Sequence, residues 1–121
     1  MEQRNRSYRA KTYNVECTVS GQEYNLYTCP DNCRTHMVLL FVVDVLGNST
    51  VDVEWDRADG SHAHILGGKN MTSGEYIQLS DSYIVLEPGD QVNVTVAGGT
   101  FHTDVFCTVE EYFLPNRPAQ A

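Results

Sequence analysis

Two histidines stand two residues apart at His62 and His64. On a β-strand, residues two apart point to the same face, so both imidazoles can reach one metal ion. His36 or His102 from a neighbouring strand would supply the third ligand of an iron, manganese or zinc site. The commoner origin of such a pair is a solvent-facing strand on which polar residues alternate. We therefore predict no metal and no cofactor, and keep His62, His64 and His102 as the alternative metal site.

The four cysteines suggest two further kinds of chemistry. Cys29 and Cys33 flank a short loop, and a disulfide between them would close a small ring once the protein meets oxidising surroundings. With His36, and with Cys17 or Cys107 as a fourth ligand, the same pair would instead bind zinc, although the usual spacing is Cys-x-x-Cys. Cys17 and Cys107 fall on apolar positions of the first and last strands, which predicts buried thiols, with a second bridge as the alternative.

An acidic stripe is the last candidate for chemistry, and it consists of Asp52, Glu54, Asp56 and Asp59. Carboxylates at this density can bind calcium, but on the outer side of a strand they are more often a solvated face that discourages edge pairing. No serine lies in a nucleophile-elbow motif, and no glycine-rich loop opens a helix. We predict that the protein is not an enzyme.

Strand-like alternation runs along the chain and would position all of these groups. It predicts strands over residues 11–19, 23–28, 34–46, 50–56, 61–66, 75–79, 83–87, 91–97 and 100–113, with no helical period. This pattern predicts an all-β fold, a single antiparallel β-sandwich of jelly-roll or Ig-like type. The strand at 34–46 is apolar on both faces in its middle. It should lie centrally in a sheet, covered on both sides by the domain or by a neighbouring subunit.

Length and charge narrow the function classes. A chain of 121 residues predicts one domain with one two-layer core. No segment approaches the ~20 apolar residues of a membrane span, and the first residues lack the apolar core of a secretory signal, which predicts a protein made in a cytoplasm. A net charge of −8 argues against nucleic-acid binding.

The charge is unevenly placed. Half of the 8 basic residues lie within the first eleven positions, while residues 12–121 hold 4 basic and 15 acidic residues, a net −11. We divide the chain into a basic arm at 1–10, a β-sandwich at 11–113 and a proline-containing extended tail at 114–121. From composition alone the arm would be a solvated tail. The basic residues concerned are Arg4, Arg6, Arg9 and Lys11.

The segment 84–92 carries the most distinctive pattern. Pro88 presets φ and Gly89 suits the positive-φ position of a type II turn, so two strands should form a hairpin there. From Ile84 through Glu87-Pro88-Gly89-Asp90 to Val92, the sequence resembles small virion structural proteins of tailed bacteriophages. His64-Ile65-Leu66 and Lys69-Asn70 occupy the place of further features of that family. In order of elements, the resemblance covers roughly residues 36 to 112.

This resemblance implies a non-enzymatic virion protein, assembled in the cytoplasm of a bacterial host. The role it favours is capsid decoration or cement, and a neck, collar or tail position is the alternative. Its partners would be the major capsid protein, other virion proteins and further copies, with a trimer as one expected state. The basic arm would then dock on carboxylates of a neighbour.

Two other functions remain open at this point. The turn at Gly89-Asp90 and His102 also resemble the second half of a cupin motif, which implies a metal-dependent enzyme or binding protein. The cupin pattern needs a glutamate shortly after the second histidine, and Gly67, Gly68 and Lys69 fill that stretch. A carbohydrate-binding sandwich would need exposed aromatic residues, and the candidates are Tyr24, Tyr27, Tyr76 and Tyr83.

Overall fold

The computed structural model describes residues 8–115, and within them every regular element is a β-strand. No helix in this range is long and apolar enough to cross a membrane. The nine strands are β1 (Tyr8–Cys17), β2 (Glu23–Thr28), β3 (Cys33–Leu46), β4 (Ser49–Asp56), β5 (His62–Met71), β6 (Tyr76–Leu79), β7 (Ile84–Leu86), β8 (Gln91–Gly98) and β9 (His102–Phe113).

The strands form two antiparallel sheets packed face to face. In sheet A the order is β1-β9-β3-β6, with β7 also paired to β3, and in sheet B it is β2-β8-β4-β5. β6 pairs with the second half of β3 and β7 with the first, so the two act as halves of one interrupted strand. Counted so, eight strands form two four-stranded sheets of jelly-roll order. The predicted β-sandwich is confirmed, and its topology is the jelly roll.

β-branched side chains fill the space between the sheets. Eight valines from β3, β4, β8 and β9 are fully buried, and each inward position alternates with an outward one. Such side chains suit strands because their restricted χ1 costs little there. Burying each one contributes on the order of 1.5–3 kcal/mol. The predicted inward positions Val51, Val53, Val92, Val94 and Val96 are confirmed.

The turn at Glu87–Asp90 forms as predicted, but the hairpin does not. Gly89 has φ 87° and the Asp90 amide donates to Glu87 O at 2.9 Å. β7 then pairs with β3 in sheet A, whereas β8 pairs in sheet B. The turn is therefore a corner between the sheets. The buried Asp90 carboxylate holds it by accepting hydrogen bonds from the Glu87 amide, the Ala58 amide and the Trp55 indole.

Two strand limits differ from the sequence prediction. β5 continues through Gly67-Gly68 to Met71, because a register shift against β4 absorbs the glycines. Gly68, at φ 71°, donates its amide to Asp52 Oδ1 at 3.1 Å. β1 begins at Tyr8 and ends at Cys17, so part of the predicted arm belongs to the sandwich. Residues 1–7 and 116–121, with most of both predicted tails, lie outside the described residues.

Candidate interaction surface

The outer face of sheet A carries rows of stacked rings. One row crosses β1, β9 and β3: the Tyr8 and Tyr112 ring centroids are 5.1 Å apart, Tyr112 and His36 are 4.6 Å apart, and His36 and Tyr83 are 4.4 Å apart. The second row joins Phe106 to Phe41 at 4.9 Å and Phe41 to Tyr76 at 5.4 Å. We call these seven side chains the aromatic face.

The aromatic face is rich in rings and partly open to solvent, and one carboxylate, that of Glu110, lies within it and accepts a hydrogen bond from the Tyr112 hydroxyl. Tyr76 is 64% exposed and Tyr83 54%. Beside Tyr83 a cleft of about 210 Å³ opens between the sheets, with Leu79 and Ile65 in its wall. Ionic contacts lie toward the ends of the face, where Arg34 pairs with Glu87 at 3.1 Å on one edge. The face thus offers a broad ring-lined surface of the kind that marks protein interfaces.

This surface follows from the apolar run in β3. β3 is central in sheet A, as predicted, and its inward side packs in the core while its outward side includes Phe41 and Val43. The domain covers one side of the strand only. Of the tyrosines considered for carbohydrate binding, Tyr27 is buried and Tyr24 half-buried against the core, so only Tyr76 and Tyr83 are exposed.

The outer face of sheet B is charged. Asp52, Glu54 and Asp56 on β4 lie beside His62 and His64 on β5, and we call these five residues the carboxylate–histidine patch. His64 Nδ1 is 3.3 Å from Asp52 Oδ1, and Glu54 Oε2 lies 3.8 Å from His64 Nε2 and 4.0 Å from His62 Nε2. The pKa of Glu54 is raised chiefly by a hydrogen bond with the Asp56 carboxyl and, to a smaller extent, by burial.

Two predicted ligand sets are not brought together. His62 pairs with Asp56, whereas His102 follows the turn beyond Gly98, which pairs with Ser49 at the other end of β4. The two ends are about 23 Å apart at the rise of a β-strand. His102 instead bonds Asp104 Oδ1 at 2.7 Å, with Glu16 nearby. Asp59 leaves the acidic stripe and binds Ser61, and that hydrogen bond lowers the pKa of Asp59.

The cysteines are four buried free thiols. Cys29 Sγ faces Thr35 Oγ1 at 3.3 Å and the carbonyl of Cys33 at 3.4 Å, while Cys33 Sγ turns to Asn32 Oδ1 at 3.4 Å, so the ring between them is open. Its closure on oxidation stays a prediction. His36 belongs to the aromatic face and does not join them.

Cys17 and Cys107 occupy neighbouring strands, as expected for the first and last elements. Cys17 pairs with Thr103 and Cys107 with Tyr13, so the two are four residues out of register, about 13 Å, too far for a bridge. Burial raises the pKa of Cys17 and of Cys29 to about 11, and that of Cys107 to about 12.

Arg9, predicted to dock on a partner, is engaged within its own domain. Its Nε donates to Glu111 Oε1 at 2.6 Å, and the Tyr27 hydroxyl donates to Glu111 Oε2 at 2.6 Å. Tyr27 also bonds Thr35 at 2.8 Å. Burial, and then the Glu111 contact, raises the pKa of Tyr27, while hydrogen bonding to Glu111 raises that of Arg9. Sequence reasoning missed this network, for which the one local signal was a glutamate at an inward position.

The other predicted arm residues have different surroundings. Lys11 lies in β1 with its ammonium 5.9 Å from the Tyr13 ring centroid. Arg4 and Arg6 lie outside the described residues. Their segment leads into Tyr8, the first ring of the aromatic face.

No family model and no curated protein matches the sequence. Solved structures do match the fold. A chain of the Bacillus endospore appendages, described as disulfide-linked pili, aligns at TM-score 0.57 and 10% identity over 94% of this chain and 95% of that one. A chain of the Helicobacter pylori bacteriophage KHP30 capsid aligns at TM-score 0.58 and 17% identity over 88% and 89%.

A third match is the VP2 protein of infectious bursal disease virus. It aligns at TM-score 0.55 and 11% identity, and the match covers 92% of this chain but 34% of VP2. At such identities the likeness concerns the fold alone. The chain therefore shares its jelly-roll sandwich with chains from pili and from viral capsids.

Proposed function

We propose that this chain is a non-enzymatic structural protein of a bacteriophage virion, and that it serves as a capsid decoration or cement protein. The observation that carries the proposal is the aromatic face, a ring-lined surface on the outer side of a jelly roll. Among the described residues, its Tyr76 and Tyr83 rings are more than half exposed. The fold it shares with chains of a phage capsid and of a pilus supports the proposal, as does the sequence resemblance around Pro88-Gly89-Asp90.

The partner that we assign to the aromatic face is a second copy of this chain. Residues 12–121 carry a net −11, so copies repel one another wherever their charged surfaces meet. The rings of Phe41, Phe106 and Tyr76 offer a contact free of that repulsion. Repeated by symmetry, such contacts would give a closed homo-oligomer such as a trimer.

The basic segment before Tyr8 supplies the second contact in this proposal. It leads into Tyr8 at the rim of the aromatic face, so Arg4 and Arg6 would reach carboxylates on the next copy or on the major capsid protein beneath it. Many weak contacts of this kind strengthen a shell through avidity rather than through one deep pocket. The Arg9 Nε already binds Glu111 within the domain, so we assign the docking contact to Arg4 and Arg6.

The test is the protein composition of purified particles. Quantitative mass spectrometry of virions from the phage that encodes this chain should find it in a fixed ratio to the major capsid protein. A few copies per particle would instead favour the neck, collar or tail alternative. Its absence from intact particles would refute a virion role of either kind.

A further inference from the structure

We propose that Glu54, Asp56, His62 and His64 form a binding site for one divalent transition-metal ion, with zinc as the ion that suits the donor set best. The site lies on the outer face of sheet B, away from the aromatic face, and does not depend on the proposed virion role. It differs from the three-histidine site considered from the sequence, because carboxylates of β4 replace His102.

The distances support a shared ion. Both imidazole Nε2 atoms lie near one oxygen, Glu54 Oε2, at 4.0 Å for His62 and 3.8 Å for His64. Ligand atoms of Glu54, Asp56 and His62 all lie within 4.8 Å of one another. Tetrahedral zinc with bonds of about 2.0–2.2 Å places its ligand atoms about 3.3–3.6 Å apart. The imidazoles of His62 and His64, which are more than half exposed, would close that gap by small rotations.

The imidazole of His64 is oriented by the carboxylate of Asp52. Its Nδ1 lies 3.3 Å from Asp52 Oδ1, and the same oxygen accepts a hydrogen bond from the Gly68 amide at 3.1 Å. An imidazole that donates Nδ1–H to a carboxylate presents its Nε2 lone pair to a metal. The bulge at Gly68 thus helps to position Asp52, and through Asp52 the imidazole of His64.

Asp56 is held by a chain of amides. Its Oδ2 accepts a hydrogen bond from Asn93 Nδ2 at 2.6 Å, and Asn93, 7% exposed, is fixed in turn by Asn25 Nδ2 at 2.9 Å. These amides lie outside the patch, and a carboxylate oxygen of Asp56 lies within 4.8 Å of the ligand atoms of Glu54 and His62. Such outer partners are what distinguish a supported ligand set from a row of solvated carboxylates.

The chemistry of the donors selects the class of ion. Two imidazole nitrogens and two carboxylate oxygens suit zinc and its first-row neighbours, whereas calcium prefers oxygen alone. The rival cluster of Glu16, His102 and Asp104 offers one imidazole, whose Nε2 is already 2.7 Å from Asp104. We therefore expect the rival cluster to be the weaker of the two.

The experiment is a zinc titration of the metal-free full chain at pH 7.5, in competition with a chromogenic chelator. One ion per chain should bind. His64→Asn or Glu54→Gln should weaken binding more than tenfold, and Asp52→Asn by about tenfold, as expected for an outer partner. His102→Asn removes a histidine from the rival cluster and should leave the affinity unchanged.

Three results would overturn the site: no saturable binding by the wild-type chain, wild-type affinity in His64→Asn, or loss of binding in His102→Asn. Thermal unfolding of the metal-free variants checks that each is folded. Because the half-exposed His64 is not part of the core, its replacement should leave the unfolding midpoint near that of the wild type.

Discussion

The outer faces of sheets A and B arise from the same alternation of inward and outward side chains, but they differ in the chemistry of those outward side chains. On sheet A, rings stack across β1, β9, β3 and β6. On sheet B, carboxylates of β4 face histidines of β5. The inner faces share a core of fully buried valines, three from sheet A and five from sheet B.

The difference indicates which surroundings each face is built for. Removing exposed tyrosine and phenylalanine rings from water by contact with another protein lowers the free energy of the system. The rings can also stack on one another beneath such a partner, so stacking alone does not favour an open surface. Carboxylates and imidazoles lose their hydration under such a cover unless each finds a partner. We therefore expect sheet A to face a subunit and sheet B to face water and ions.

The largest expected effect comes from replacing Glu111, which is buried between the two sheets. Glu111→Ala should lower the free energy of unfolding by about 2–4 kcal/mol, because hydrogen bonds to charged groups contribute about 1.5–3 kcal/mol and the buried side chain leaves a space behind. The loss should appear as a lower denaturant midpoint. Both faces should unfold in one transition if they belong to one cooperative unit.

Glu110→Ala is the matched control for that variant. Glu110 is the next residue along β9, points to the opposite side, and its Oε1 accepts a hydrogen bond from the Tyr112 hydroxyl at 2.8 Å at the surface. Its removal should change the free energy of unfolding by about 1 kcal/mol or less. Equal losses in the two variants would refute the structural role of the Arg9–Glu111–Tyr27 network.

Local pattern predicted the sandwich well because strand alternation records which side of each strand is buried. It failed where the outcome depends on distant partners. The turn chemistry of Pro88-Gly89 is the same whether the next strand joins the same sheet or the other, so the hairpin was wrong. Arg9 meets Glu111 only through the pairing of β1 with β9, at a separation of 102 residues.

The candidate surfaces were predicted in part for the same reason. The two-sided apolar run of β3 indicated a covered strand, but the ring stacking needs the register of four strands at once. The acidic stripe and the His62/His64 pair were recognised as separate features. Their union in one patch follows from the regular pairing of Glu54 with His64 and of Asp56 with His62 beside the turn that joins β4 to β5. Alternation along each strand does not give this pairing, because it depends on the register between the strands.

The smallest effect on stability concerns the thiols between the faces. Because burial raises the pKa of Cys17 to about 11, only about a thousandth of the Cys17 side chains are thiolates at pH 8. Folded protein should therefore react with iodoacetamide far more slowly than unfolded protein. Since the pKa in the folded state lies above that of a free thiol, these groups lower stability only as pH rises beyond about 9. Rapid alkylation of the folded chain at pH 8 would contradict the closed interior.

Sedimentation velocity tests the central claim, that the aromatic face binds a second copy of this chain. The wild-type chain should sediment as a discrete oligomer that dissociates on dilution. Tyr76→Glu, which puts a charge on an exposed ring position, should sediment as a monomer. Thr28→Glu, which adds the same charge to an exposed position of sheet B, should keep the oligomer. A wild-type chain that is monomeric at every concentration, or a Tyr76→Glu chain with the wild-type oligomer, would contradict the account.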